Sequence, residues 1–181
     1  MLLKRGFSLA AKDFSVGLRI EHRKADIDRA LYGEFAGHPD LPYGEYALSA
    51  NTHARGVYTF CMCPGGQVVA AASEAGGVVV NGMSMFKRDS GIANSALVVN
   101  VDSRDFGEGA LAGVEFQRRY EQLAYAAAGS SYYAPAQNLD SFLKRVTPSL
   151  ECLVQPSYRP GLAACSLDKV LPAYVTDTLR E

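Results

Sequence analysis

Residues 55–73 constrain the fold more than any other part of this chain, because two apolar runs are joined there by Pro64, Gly65 and Gly66. Apolar runs on either side of such a turn predict a strand, a tight turn and a second strand. Cys61 and Cys63 lie at the end of the first strand. Side chains two residues apart on a strand face the same side, so both sulfurs are expected to point one way.

Two glycines follow the cysteines in this turn. Gly65 and Gly66 have no Cβ, which lets a ligand or another stretch of backbone approach closely. Two thiols beside an accessible backbone indicate a functional site without naming its chemistry. Cys61 and Cys63 are therefore the candidate catalytic residues, and no catalytic acid or base can be assigned.

Several interpretations of the cysteine pair stay open: packing thiols, a redox dithiol or thiols near a cofactor, and metal ligands. Packing is favoured because free cysteine is among the most buried residue types. Strand neighbours two apart lie about 7 Å apart at Cα, which disfavours a disulfide and predicts unbridged thiols. Structural zinc needs four ligands, and no second paired spacing occurs among the other candidates, which are His22, His38, His53, Cys152 and Cys165. No metal is expected.

The order of the predicted elements indicates an α+β fold. Strands are predicted near residues 14–22, 57–63, 67–73, 78–81 and 95–101. The clearest helix covers 110–128, ends at Gly129, and is expected to pack on the sheet through Phe116, Tyr120 and Leu123. Because strands come first and helices later, we expect a mixed sheet or partial barrel with packed helices.

Weaker patterns complete this assignment. A loop is predicted over residues 34–54 with a short strand near 46–49, and Asn81-Gly82 is read as a tight turn. Residues 132–137 read as a turn directed by Pro135 with packed tyrosines, and a groove lined by Tyr132 and Tyr133 is the alternative. Further short helices are predicted at 25–32, 137–145, 167–171 and 172–180, with a loop over 146–161.

Composition excludes some classes of partner. The chain has 181 residues, a formal net charge of -1 and 48% hydrophobic residues. This balance gives no electrostatic reason to expect nucleic acid or an anionic membrane. No apolar run approaches the roughly 20 residues that span a bilayer. Four cysteines with uneven spacing are typical of a reduced, cytoplasmic protein rather than a disulfide scaffold.

The two ends of the chain suggest a domain of a larger protein. Residues 1–6 resemble the last turn of a helix that stops at Gly6, and residues 174–181 show helical spacing without a stop signal. We therefore expect one domain with a helical tail at 1–6, a β-rich core at 14–101 and a helical part at 110–181.

Charged residues close the first predicted strand. Arg19 and Glu21 would face the side opposite Val16 and Leu18, and a Glu21-His22 pair is capable of proton transfer. Charges on the polar side of a half-buried strand usually contact water, which is the favoured interpretation. An interface with another domain is the alternative.

The motifs resemble a family of bacterial FAD-dependent dehydrogenase-like proteins. The resemblance covers nearly the whole chain, and the sequence Phe-Cys-Met-Cys-Pro-Gly-Gly at 60–66 is its most specific part. A departure occurs at Arg23, where the family often has proline. The other matching segments are 14–22, 31–33, 69–74, 80–84, 93–96, 113–117 and 134–137.

The resemblance implies a cap or substrate domain inserted between the two FAD-binding segments of a larger flavoprotein. In that arrangement the flanking segments are the partners and hold FAD, while this domain covers the flavin and shapes a pocket for an unknown small molecule. Pro64, Gly65 and Gly66 are then candidates to lie near the flavin. The chain alone is expected to be inactive and to bind FAD poorly, since it lacks a G-x-G-x-x-G turn between strand and helix. The alternative is a non-catalytic binding or protein-interaction module.

Overall fold

The computed structural model describes residues 1–52 and 55–181 and confirms the α+β class. The described residues form no closed barrel. The strands are β1 (Phe14–Arg23), β2 (Ser49–Asn51), β3 (Gly56–Pro64), β4 (Gly66–Ala70), β5 (Val80–Ser84), β6 (Ile92–Val101), β7 (Ala134–Ala136) and β8 (Leu162–Ala164). The α-helices are α1 (Lys24–Tyr32), α2 (Ser103–Phe106), α3 (Ala112–Ala127), α4 (Leu139–Lys144) and α5 (Ala173–Thr178).

An antiparallel sheet in the order β1-β6-β3-β2 forms the centre of the fold. β1 pairs with β6 along its whole length, from Phe14 opposite Val101 to Arg23 opposite Ile92. Both strands have ten residues, and β6 is rich in β-branched side chains, which suit a pleated and partly buried surface. Val99 and Val101 of β6 are fully buried.

The remaining strands leave this sheet, which corrects the expectation of one mixed sheet. β4 pairs with β5 in an antiparallel pair, and β7 pairs with β8 in a parallel pair. The predicted strand-turn-strand over 57–73 is present, but its two strands enter different sheets because the chain turns at Gly65, which has a positive φ of 58°. The turn therefore directs the chain out of the central sheet.

Helix α3 joins the sheets through one apolar face. Phe116 packs edge-on against Phe14 of β1, with ring centroids 6.0 Å apart, and it also contacts Tyr120. One helical turn later, Ala124 and Tyr125 pack on a core that lies between the two small sheets, formed by Val68, Val78, Ala134 and Tyr158. The expected contact through Leu123 is wrong: this side chain is 37% exposed, and Ala124 takes the inward position instead.

Several local predictions are corrected by tertiary pairing. The short strand expected near 46–49 lies at Ser49–Asn51, where it pairs with the start of β3. Of the predicted loop over 34–54, His53 and Ala54 lie outside the described residues. The predicted turn near Pro135 is strand β7, and Tyr132 and Tyr133 remain exposed.

Helix ends follow their sequence signals closely. Gly6 adopts a left-handed conformation after a 3-10 turn at Leu3–Arg5, and Gly129 has a positive φ of 75° just beyond α3. Asn138 caps α4 by accepting a hydrogen bond from the backbone N–H of Ser141. No helix among the described residues is both long enough and apolar enough to cross a membrane.

Candidate functional site

The two cysteines lie at an irregularity in β3. Phe60 lies opposite Ala96 of β6, but the next pair is Cys63 opposite Asn94, so β3 carries one extra residue there. Cys61 has a left-handed φ of 49°. A bulge of this kind bends the strand and re-aims its side chains. The regular strand geometry on which the sequence-based argument against a bridge relied is therefore wrong.

The bulge brings the two thiols close together. Their Sγ atoms are 3.8 Å apart, and both cysteines are free. Cys61 is exposed, whereas Cys63 is 5% exposed and its Sγ donates to the Cys61 carbonyl oxygen at 3.2 Å. Burial raises the pKa of the Cys63 thiol, the contact with Cys61 adds to this, and the charge of Arg19 opposes it.

Arg19 of β1 holds the bulge in place. Its Nη1 donates to the Cys61 carbonyl oxygen at 3.1 Å and to Asn94 Oδ1 at 2.6 Å, and its Nη2 donates to Asn81 Oδ1 at 3.2 Å. All three acceptors are neutral oxygens. The expectation that this charge simply contacts water is therefore wrong, because the side chain links β1, β3, β5 and β6.

The position of Arg19 explains why Asn81-Gly82 is not a turn. Both residues lie inside β5, and a Cβ at Gly82 would stand 2.2 Å from Arg19 Nη1 and 2.4 Å from Asn94 Oδ1. A glycine within a strand often marks such a close approach. The absence of a Cβ at Gly82 therefore leaves room for the Arg19 guanidinium, and β5 continues to Ser84.

Asn94 is fully buried beside the thiols. Its Oδ1 accepts from Arg19, but its Nδ2 has no hydrogen-bond partner among the described residues. A buried amide left without a partner costs about 1–3 kcal/mol, so such groups are rare and often belong to a functional site.

Glu21 and His22 do not form a proton-transfer pair. Glu21 accepts hydrogen bonds from the backbone N–H of Ser157 at 3.1 Å and from its hydroxyl. Ser157 Oγ in turn accepts from the backbone N–H of Val68 at 2.8 Å. His22 Nε2 bonds the Tyr46 hydroxyl at 2.9 Å, and burial lowers the pKa of His22. Glu21 thus anchors the loop before β8, which is a structural role.

The turn after Cys63 is covered by the chain itself. Pro64, Gly65 and Gly66 are all buried. A Cβ at Gly65 would stand 1.7 Å from the carbonyl oxygen of Arg88, and one at Gly66 would stand 2.7 Å from that of Met83. The close approach that these glycines allow is therefore to β5 and to the segment between β5 and β6. Their placement near a cofactor stays a prediction.

Large apolar side chains are exposed on β3 and around the end of β5. Phe60, next to Cys61, is 62% exposed. Met83, whose carbonyl lies against Gly66, and Met85 and Phe86, which follow it, are exposed as well. Exposed apolar groups that cluster along adjoining segments are typical of interaction surfaces.

The opposite end of β3 holds a second polar cluster. Arg55 donates to both carboxylate oxygens of Asp105, at 2.7 and 2.6 Å, and its guanidinium carbon lies 4.4 Å from the centre of the Tyr174 ring. Burial acts to raise the pKa of Asp105, but the hydrogen bonds from Arg55 and the backbone outweigh it, so this pKa is lowered. A polar cleft of about 540 Å³ lies beside it, lined in part by Ser15, Tyr58 and Asn100.

The comparisons with known proteins cover almost the whole chain, including the thiol site. A family model described as FAD-dependent protein, C-terminal domain-like, matches residues 13–181. The chain belongs to this family. A relative from Clostridium beijerinckii, an uncharacterized protein, is 47% identical over 185 residues, which cover 100% of this chain and 34% of that protein. The chain thus spans about a third of the length of this relative.

The family description raises the question of where FAD would be held. The flavin dinucleotide normally needs a strand, a Gly-rich turn and a helix N-terminus for its pyrophosphate. Where a strand of the described residues leads into an α-helix, the N-cap residues are Arg23, Asp102 and Asn138. The side chains of Asp102 and Asn138 already accept hydrogen bonds from backbone N–H groups at the starts of their helices. At Arg23 the side chain prevents a ligand from approaching the backbone as closely as it could at a glycine. These junctions do not fit a pyrophosphate.

Among the described residues, no three His, Cys, Asp or Glu side chains are grouped closely enough to hold a metal ion. His53, one of the candidate ligands weighed from the sequence, lies outside those residues.

Sequence reasoning found the two thiols but missed what surrounds them. Arg19 and Asn94 are separated from Cys61 by 42 and 33 residues, and only strand pairing brings them together. The Arg55 cluster was missed for the same reason. A weak signal for the arginine contact existed in Gly82, because a glycine inside an apolar strand pattern suggests a close approach.

Proposed function

We propose that this chain is the substrate or cap domain of an FAD-dependent oxidoreductase. In this proposal other segments of a longer protein hold FAD, and the domain covers the flavin and shapes the pocket for a small molecule. Membership of an FAD-dependent family supports a flavin in the parent protein. The greater length of the Clostridium beijerinckii relative leaves room for FAD-binding segments outside the matched region.

One observation carries the proposal: the exposed thiol of Cys61 is held on a bulge beside the exposed ring of Phe60. A flavin ring is flat and largely apolar, and an apolar surface with one polar, polarizable group suits its edge or face. Arg19 fixes the Cys61 carbonyl, so the group is preorganised. The flavin would carry the redox chemistry, while the domain supplies orientation and environment.

The test uses the full-length protein that contains this domain. We expect it to be isolated yellow and to be bleached by NADH or NADPH without oxygen. Cys61→Ser should shift the flavin absorption spectrum or lower the reduction rate, whereas Cys152→Ser, which changes another exposed cysteine, should do neither. A yellow protein whose Cys61→Ser spectrum and turnover match the wild type would refute the placement of this surface at the flavin.

A binding module without catalysis is the second candidate. It is favoured by the exposed Met83, Met85 and Phe86, which lie close together in sequence at the end of β5 and would suit a protein partner. The same preparation distinguishes the two. A full-length protein that contains no flavin after purification, and gains none from added FAD, would favour the binding module.

A further inference from the structure

The thiols of Cys61 and Cys63 are brought together by a distortion that packing alone does not require. The bulge adds one residue to β3 opposite β6 and places the two Sγ atoms 3.8 Å apart, with Cys61 at a left-handed φ of 49°. Such a conformation costs a residue with a side chain about 1–3 kcal/mol, and residues of this kind cluster at functional sites.

The two thiols differ in access. Cys61 is exposed and open to a reagent from solvent. Cys63 is 5% exposed, so external reagents reach it poorly, but it lies within reach of the Cys61 sulfur. An exposed thiol beside a shielded one is the arrangement of an attacking and a resolving cysteine. Cys61 would react with the external reagent first, and Cys63 would then attack the Cys61 sulfur and close the disulfide bond.

Arg19 supports this chemistry by position and by charge. Its guanidinium holds the Cys61 carbonyl and so maintains the bulge. Because its three hydrogen bonds end on neutral oxygens, no carboxylate in that set offsets its charge. For Cys63, this charge opposes the rise in pKa that burial causes. Arg19 is thus a positioning residue for the pair.

We propose that Cys61 and Cys63 form a reversible dithiol–disulfide couple that exchanges with disulfides of low molecular weight. The Cys61 thiolate attacks one sulfur of the small disulfide, whose S–S bond breaks and releases one small thiolate. The Cys63 thiolate then attacks the Cys61 sulfur of the mixed disulfide and releases the second. Each released thiolate takes up one of the protons lost by the cysteines. The protein loses two electrons and two protons, and one small disulfide becomes two small thiols.

This couple goes beyond the proposed flavin function and does not depend on it, because the oxidant is the small disulfide. The full 181-residue chain is incubated with glutathione disulfide, quenched with acid, alkylated and digested. We expect the peptide that contains both cysteines to lose two hydrogens, to carry neither glutathione nor the alkyl label, and to regain both thiols with dithiothreitol. The Cys63→Ala variant cannot close the bond, so glutathione on Cys61 should rise at least about tenfold.

Cys152 provides the matched control. It is exposed like Cys61, but its Sγ donates to the Val154 carbonyl rather than facing a second thiol. It should therefore retain glutathione, and Cys152→Ser should leave the couple unchanged. Arg19→Gln should slow closure of the bond. If circular dichroism shows that Cys63→Ala does not fold, the mass of the wild-type peptide that contains both cysteines still shows whether the disulfide has formed. Wild-type protein that keeps glutathione on Cys61 with Cys63 still alkylated, or that reacts only at Cys152, overturns the proposal.

Discussion

The two ends of β3 each carry an arginine network, and the two networks are built differently. At the start of the strand, Arg55 makes a bidentate ion pair with Asp105 and stacks on Tyr174. Its charge is compensated, and its donors meet acceptors from α2 and β6. At the far end, Arg19 bonds only neutral oxygens in its three hydrogen bonds. The first network cross-links the fold, while the second leaves a charge beside two thiols.

The far end also holds features that a purely structural network would avoid. Cys61 has a left-handed backbone, and the buried Asn94 Nδ2 lacks a partner among the described residues. Both cost free energy, and natural proteins retain such costs mainly at functional sites. The Arg55 end therefore stabilises the domain, and the Arg19 end is the candidate for its chemistry.

The largest expected effect tests the structural end. Arg55→Ala would leave the Asp105 carboxylate, whose side chain is 5% exposed, buried without its partner. We expect a loss of about 3–5 kcal/mol in the free energy of unfolding, measured with urea. Arg104→Ala is the control, because Arg104 is 79% exposed in its pair with Asp102 and the loss should be far smaller. Equal losses in the two variants would break the distinction between the networks.

A second variant tests the packing around Arg19. Gly82→Ala would place a Cβ 2.2 Å from Arg19 Nη1 and force the guanidinium away from the Cys61 carbonyl. We expect destabilisation of about 1–3 kcal/mol and an altered rate of Cys61 alkylation. Gly56→Ala, where the nearest atoms stand at 3.6 and 3.7 Å, should change neither quantity by a comparable amount. Tolerance of Gly82→Ala would show that Arg19 is not fixed as described.

Acid should weaken the Arg55 end, because its ion pair contains the carboxylate of Asp105. The pKa of Asp105 is lowered in the folded protein, so its stabilising charge is present above the ordinary aspartate pKa of about 4 and is lost as the pH falls through the lower value. The free energy of unfolding should therefore decrease below about pH 4. In Asp105→Asn this decrease should be shallower. Identical pH profiles for the variant and the wild type would show that Asp105 does not contribute to the loss of stability in acid.

The smallest expected signal concerns FAD itself. Because neither end of β3 nor the helix starts provide a pyrophosphate site, the 181-residue chain should bind added FAD weakly or not at all. Fluorescence quenching or calorimetry measures this. Saturable binding below about 1 μM, an affinity of roughly −8 kcal/mol, would place the cofactor site inside this chain and contradict the proposed arrangement.

Local patterns predicted much of this fold. The alternation of apolar and polar residues predicted β1, and an apolar run predicted β6. Apolar residues at helical spacing, followed by Gly129, predicted α3. These patterns are local, because each depends on only a few neighbouring residues. Pairing between distant strands was not predictable in the same way. The split into three sheets, the inward role of Ala124 rather than Leu123, and strand β7 all depend on contacts far along the chain.

The candidate site shows the same division. Cys61 and Cys63 stood out in the sequence, and strand periodicity predicted that their sulfurs would lie on one side. The bulge, the contact with Arg19 and the buried Asn94 arise only where β1, β3 and β6 pair. Periodicity describes a regular strand, so it could not foresee the irregular residue that brings the sulfurs together.

The most direct test of the difference between the two ends compares Arg19→Gln with Arg55→Ala in one experiment. The alkylation rate of Cys61, relative to Cys152 in the same molecule, is measured beside the free energy of unfolding. We expect Arg19→Gln to lower the relative rate of Cys61 several-fold, with a stability loss of about 1 kcal/mol. Arg55→Ala should destabilise strongly and leave that rate unchanged under conditions where it is folded. If both variants change stability and thiol reactivity in parallel, the two ends of β3 are one network and the account is contradicted.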